Sequence, residues 1–196
     1  MAGEFLKDIK AIRRRARQHL EKGAVTETYK ADLDTVLKLL NEALATELVC
    51  ALRYKRHYFM AVGIHSRSVA EEFLEHADWI AERIVQLDGE PNFSPDGLLS
   101  RSHSDYVEGA SLLEMIKEDL VAERIAIGSY SEIIRYLGQD DPTTRRLFEK
   151  ILAKEEEHAE ELASIIASLD QEALAEDRRP KKAAVAGRPA LGKTGT

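Results

Sequence analysis

Apolar residues recur at three- and four-residue intervals along most of this chain, and each recurrence ends at a helix-stopping signal. Leu37, Leu40, Leu44, Ala51, Tyr54 and Tyr58 form one stripe in a run from Ala31 to Val62, which Gly63 ends. Val69, Phe73, Ile80 and Leu87 form a second between Ser66 and Leu87, closed by Gly89 and Pro91. A third begins at the capping-box pattern Ser111-x-x-Glu114 and runs through Leu113, Ile116, Leu120, Ile127, Tyr130, Ile134 and Leu137 to Gly138. Asp141-Pro142 then supplies an N-cap and a first-turn proline for a fourth, whose stripe is Leu147, Ile151, Leu162, Ile165 and Leu169. The connections are short, long and short. Residues 88–110 hold Gly89, Pro91, Ser94, Pro95 and Gly97, and a connection of that length has its reason if it crosses over along a bundle. The expected fold class is all-α: a four-helix bundle with one long crossover, spanning residues 31–170.

The two ends differ from this middle. Residues 3–22 read as a basic amphipathic helix, Phe5, Leu6, Ile9, Ile12 and Leu20 against Lys10, Arg13, Arg14, Arg15 and Arg17, stopped by Gly23. Within the N-terminal unit of residues 1–30, it is either a solvated helix docked on the bundle or a neighbouring subunit, or one that contacts phosphates. From Ala173 the chain is expected to be disordered, within a basic tail of residues 171–196. Arg178, Arg179, Lys181, Lys182, Arg188 and Lys193 there either solubilise the terminus or bind DNA without sequence preference, by counterion release. A net charge of −7 argues against a nucleic-acid binder that is basic throughout, and confines that function to the ends. No apolar run is long enough to cross a membrane and no secretory leader is visible. The one cysteine, Cys50, fits a reducing compartment, so a cytoplasmic protein is expected.

Each stripe is broken near its middle by a side chain that should not face a core. Glu47 interrupts the first helix, His76 the second, Glu123 the third, and Glu155 with His158 the fourth. An unpaired carboxylate in a core costs several kcal/mol, so a partner is required. Glu-x-x-His places two metal ligands on one helix face. Carboxylates with imidazole suit iron or manganese, and a glutamate between two ions can bridge them. The expected ligands of a di-iron centre are therefore Glu47, His76, Glu123, Glu155 and His158. The second helix departs from the fourth, because Phe73 stands three residues before His76 and the nearest acids are Glu72 and Glu75. Glu72 joins the candidate ligands if that helix is rotated or carries a π-bulge. Cys50 is expected as a small buried hydrophobe, and His19, His57, His65 and His103 carry no spacing signal.

With these residues in view, the chain resembles the ferritin-like superfamily, and within it the bacterioferritin and DNA-protecting mini-ferritin branches. The resemblance covers most of Leu39 to Ile166. It is carried by Asn41-Glu42, Thr46-Glu47-Leu48-Val49, Tyr54, His57, His76-Ala77-Asp78, Ala81-Glu82-Arg83-Ile84, Asp119-Leu120, Glu123 and Glu155-Glu156-Glu157-His158. It implies one iron held by Glu47 and His76, another by Glu123 and His158, and Glu155 as bridge. Tyr54 matches a tyrosine that lies beside the centre without ligating it. The family pattern has Glu-x-x-His on the second helix too, with its Glu as second bridge, so Phe73 leaves the centre asymmetric: either Glu72 reaches it, or the ferroxidase site is a weakened, single-metal or inactive one. Leu74 occupies the position of the family's haem-binding Met, so no haem is expected. The short fifth helix of 24-subunit shells is missing before the basic tail, which fits a 12-subunit shell. The function so implied is oxidation of Fe(II) and its storage or detoxification, within iron homeostasis. The rivals are a DNA-binding oxidative-stress protein with a degenerate metal site, and another di-metal oxidase or peroxidase such as a manganese catalase or rubrerythrin-like protein. Rubredoxin-type cysteine pairs are absent.

Overall fold

The computed structural model describes residues 9–60 and 67–177. Six α-helices lie among them: α1 (Ile9–Arg15), α2 (Leu33–Met60), α3 (Arg67–Gln86), α4 (Leu98–Arg101), α5 (Leu112–Leu137) and α6 (Pro142–Asp177). The bundle consists of α2, α3, α5 and α6. The hairpin pairs α2–α3 and α5–α6 pack side by side, with α2 against α5 and α3 against α6.

Local chemistry sets the helix ends. The Thr35 N–H donates to Asp32 Oδ1 (2.9 Å) where α2 begins. At α5, the Ser111 hydroxyl accepts from the Glu114 N–H (3.2 Å), while Glu114 Oε2 reaches back to the Ala110 N–H (2.8 Å). Gly109 just before it has φ +62 and a Cβ there would lie 2.7 Å from Met115 Cγ, so the turn accepts only glycine. Asp141 caps α6: its Oδ1 accepts from the Thr144 N–H (2.9 Å) and from Arg83 (3.0 Å), and its Oδ2 accepts from the Tyr29 hydroxyl (3.0 Å). That cap ties the chain before α2, α3 and α6 together at one end of the bundle.

The crossover runs along α2, where it is tied by side chains at successive turns. Asn41 Oδ1 accepts from the Asn92 N–H (2.8 Å), and Thr46 Oγ1 from the His103 N–H (2.9 Å). Arg53 donates to the Asp105 carbonyl (2.8 Å) and Arg56 to that of Glu108 (2.7 Å). The crossover's single helical turn, α4, also packs on α2. These bonds satisfy loop backbone that burial against α2 would otherwise strand.

Two expected boundaries moved. The N-terminal helix ends at Arg15 rather than continuing to residue 22; His19 then adopts a left-handed φ of 52 before a 3-10 turn at Leu20–Lys22. Arg13 and Arg17 would stack one helical turn apart, and α1 buries no residue to offset that repulsion. At the other end α6 continues to Asp177, past the expected stop near Leu169 and into the stretch from Ala173 expected to be disordered. Residues 170–177 include the helix formers Gln171, Glu172, Ala173, Leu174, Ala175 and Glu176 and contain neither Gly nor Pro, so nothing in them ends a helix. Phe5, Leu6, His65 and the basic residues Arg178, Arg179, Lys181, Lys182, Arg188 and Lys193 lie outside the described residues.

The interior has two apolar clusters. Val36, Leu40, Leu44, Ile80, Ile84, Ile133, Leu137, Phe148 and Ile151 fill one half, and Cys50, Ala51, Phe73, Ile116, Ala122 and Leu162 the other. Fully burying each larger aliphatic or aromatic side chain contributes about 1.5–3 kcal/mol. Between the clusters, at mid-length, lies a layer of charged and polar side chains.

Candidate metal centre

That layer collects a ligand-type residue from each of the four long helices. Glu47 comes from α2, His76 from α3, Glu123 from α5, and Glu155 with His158 from α6. Four of the five are at most 1 % exposed and His158 is 6 % exposed. Their ligand atoms form two groups, Glu47–His76–Glu155 and Glu123–Glu155–His158, each with all atoms within 4.8 Å of one another. Glu155 belongs to both. His76 Nδ1 lies 3.0 Å from Glu155 Oε1 and 3.3 Å from Glu47 Oε2. His158 Nδ1 lies 3.5 Å from Glu155 Oε2 and 3.9 Å from Glu123 Oε1.

Six buried atoms that converge here lack a hydrogen-bond partner: Glu47 Oε2, His76 Nδ1, Glu123 Oε2, both Glu155 oxygens and His158 Nδ1. Leaving so many polar atoms unsatisfied in a core costs several kcal/mol in total. A divalent cation in each group would satisfy them, and the donor set suits iron or manganese.

Two tyrosines each hold one carboxylate oxygen of the layer. The Tyr54 hydroxyl on α2 donates to Glu123 Oε1 on α5, and the Tyr130 hydroxyl on α5 donates to Glu47 Oε1 on α2. The arrangement is reciprocal: in each helix the tyrosine follows its own helix's glutamate by seven residues, and serves the glutamate of the other. Tyr54 was expected beside the centre. Its apolar stripe marks Tyr130 only as a core residue, and the repeated Glu-x6-Tyr spacing is the sequence signal for its second role.

Electrostatics show what keeps such a cluster buried. Burial and neighbouring Glu155 push the Glu47 carboxyl up to about 7, against the nearby His76 imidazole and the hydrogen bond from Tyr130. Burial and Glu155 likewise hold Glu123 well above the carboxylate range. For Glu155 burial works in the same direction, but the adjacent His158 and His76 imidazoles and the Glu123 carboxyl overcome it and hold it at about 2. Burial lowers the affinity of His76 for a proton, yet Glu155 and Glu47 raise it to about 9. His158 is raised by Glu155 and Glu72, again against burial. Without a cation, protons shared around an ionised Glu155 stabilise the layer; these are the protons that a metal displaces.

The second helix shows where the layer is incomplete. Phe73 is 1 % exposed, and its ring centroid lies 5.8 Å from that of His158 and 6.3 Å from that of His76. An apolar ring thus stands beside both imidazoles. Throughout its length α3 is regular α-helix, with no π-bulge. Glu72 lies outside both ligand groups: its Oε2 meets His158 Nε2 (3.2 Å), on the opposite edge of the ring from Nδ1. Leu74 faces outward beside Phe59, and both are exposed. Cys50 is buried, and burial pushes its thiol above the ordinary value, away from the thiolate a metal requires.

One turn beyond the centre lies a second buried polar cluster. His57 Nδ1 meets Asp119 Oδ1 (2.8 Å), and His57 Nε2 donates to the Val107 carbonyl (3.2 Å). Arg53 Nε lies 3.3 Å from the same Asp119 oxygen. His57 showed no signal in its spacing because its partners come from another helix and from the crossover.

The family model for the ferritin-like domain matches residues 37–171, which span all four helices of the bundle. The chain belongs to this family. Within it, the chain is 32% identical to bacterioferritin BfrA of Mycobacterium tuberculosis over 144 residues, covering 69% of this chain and 86% of that one. The solved structure of that bacterioferritin superposes with a TM-score of 0.64 at 31% identity, over 76% of this chain and 92% of the other. The bacterioferritin-related protein of Bacteroides fragilis, described as a dodecameric thioferritin, gives a TM-score of 0.69 at 27% identity, over 77% and 94% of the two chains. A nutrient stress-induced DNA-binding protein of Nostoc is 33% identical over 141 residues, covering 65% of this chain and 75% of that protein. This ferritin-like chain has no described helix long and apolar enough to cross a membrane.

Proposed function

We propose that this ferritin-like protein binds Fe(II) as substrate at the mid-bundle layer, oxidises it, and stores or detoxifies the product. The observation that carries this reading is the pair of buried ligand groups sharing Glu155, with six inward-facing atoms lacking any other partner. Iron held there supplies the redox chemistry, each Fe(II) giving one electron to dioxygen or peroxide. The chain supplies the rest. Glu47 with His76, and Glu123 with His158, hold the two positions, and Glu155 faces both. Tyr54 and Tyr130 each hold one oxygen of Glu123 and Glu47, and the other oxygen of each carboxylate has no hydrogen-bond partner and is available to a cation. The apolar clusters on either side keep bulk water from the layer. Assembly into a closed homo-oligomeric shell belongs to the same proposal. It is supported by the dodecameric relative and by exposed Leu52, Phe59 and Leu74 on α2 and α3.

Anaerobic Fe(II) titration followed by air tests the reading. A ferric absorbance should develop with about two Fe(II) bound per chain, and Glu155→Ala should slow it at least about 100-fold, because both positions lose a ligand. Oxidation by Glu155→Ala as fast as by the parent chain would mean that the chemistry happens elsewhere.

A further inference from the structure

We propose that Glu72 is a positioning residue for His158: by accepting its Nε2–H, it turns the Nδ1 lone pair toward Glu123 and Glu155. This rests on the metal-centre reading above and deepens it.

Glu72 Oε2 and His158 Nε2 are 3.2 Å apart, while His158 Nδ1, on the opposite edge of the ring, has no hydrogen-bond partner and faces the Glu123–Glu155 pair. A carboxylate can only accept from an imidazole N–H, so Nε2 is the donor. With the proton held there, Nδ1 is the nitrogen left to bind a cation. The ring has little other polar support, since Phe73 lies against it through an apolar face. On α6 itself, the polar neighbour of His158 is Glu155, which the two ligand groups share. His76 has no comparable partner among the described residues: its ring packs near Trp79, with centroids 5.2 Å apart. The two imidazoles are therefore held differently, His158 by a carboxylate at the solvent edge and His76 by packing. The Glu72 side chain is 34% exposed against 7% for His158, so it links the buried ring to the surface.

The test is Zn(II) binding, which needs no turnover, on the full chain. Calorimetry gives the affinities, and anomalous diffraction of crystals at limiting Zn(II) tells the two positions apart. The parent should bind an ion in each ligand group. Glu72→Ala should weaken the ion at Glu123–Glu155–His158 by about 10- to 100-fold and leave the other within about threefold. Glu72→Gln, whose amide oxygen still accepts the Nε2–H, should stay within about threefold of the parent at both. Three results overturn the assignment: parent-like binding by Glu72→Ala, equal weakening at both positions, or a Glu72→Gln variant as weak as Glu72→Ala. The last would make Glu72 a direct ligand or a charge acting at a distance. A parent chain that binds no Zn(II) in either group removes the metal-centre reading itself, and this inference with it.

Discussion

Glu155 is a fully buried carboxylate with no hydrogen-bond partner for either oxygen, between two imidazoles. Its neighbours titrate in a direction that makes a pH test sharp. Glu47 and His76 both bind a proton more tightly in the folded metal-free chain than in an unfolded one, at about 7 and about 9. A group whose value rises on folding adds stability below its unfolded value and loses it as pH climbs through the folded one. The metal-free protein should therefore melt at progressively lower temperature from about pH 5 to pH 9. Added Zn(II) should flatten that slope, because the cation replaces the protons. A metal-free melting temperature that rises across this range would contradict the shared-proton description. All five central residues were legible as polar breaks in apolar stripes, because a core line tolerates no unexplained carboxylate. Tyr130 and the Arg53–Asp119–His57 cluster were not, since a tyrosine or a charged side chain seldom reveals its partner until two helices are placed together.

At the scale of helices, the start of α6 shows how one cap locks three segments. Asp141 is 1 % exposed and accepts from Thr144, Arg83 and Tyr29 together. Asp141→Ala would leave the guanidinium of Arg83, a residue only 8 % exposed, without its carboxylate, at a cost of about 3 kcal/mol. Urea denaturation of the metal-free chain should show that loss, while Zn(II) stoichiometry stays as in the parent. The Asp-Pro signal that places this cap is in the sequence, as are Ser111-x-x-Glu114 and the crossover. The helix phases were less legible. Val36, Ala43, Cys50 and His57 share the buried face of α2 with the expected stripe, so the inward line is broader than its strongest apolar positions suggest.

For the molecule as a whole, charge is divided between an acidic bundle and basic ends. Arg13, Arg14 and Arg15 close α1, which makes no packing contact with another helix among the described residues. The remaining basic residues of interest, from Arg178 to Lys193, lie past the described part of α6. A DNA-binding role is the rival expectation from the sequence, and the basic ends are where it is tested. If the tail engages phosphates, a mobility shift of linear DNA should weaken with salt at a log–log slope of about −5 for six contacts. Deleting residues 173–196 should abolish it while light scattering reports the same particle size as for the parent chain. A shift that survives the deletion assigns the contact to α1 instead.

The bonds between α2 and the crossover also bear on the order in which this chain assembles. Each helical hairpin closes over a short span of sequence, whereas the Asn41–Asn92, Thr46–His103 and Arg53–Asp105 bonds join residues about fifty positions apart. Closing such spans costs loop entropy that only the finished bundle returns. The hairpins should therefore be native-like at the rate-limiting barrier and the bonds to the crossover absent from it. Truncating Asn41 should speed unfolding and leave refolding nearly unchanged, as stopped-flow fluorescence of Trp79 would show. A bundle held in this way owes its lifetime, more than its speed of formation, to the segment that crosses it.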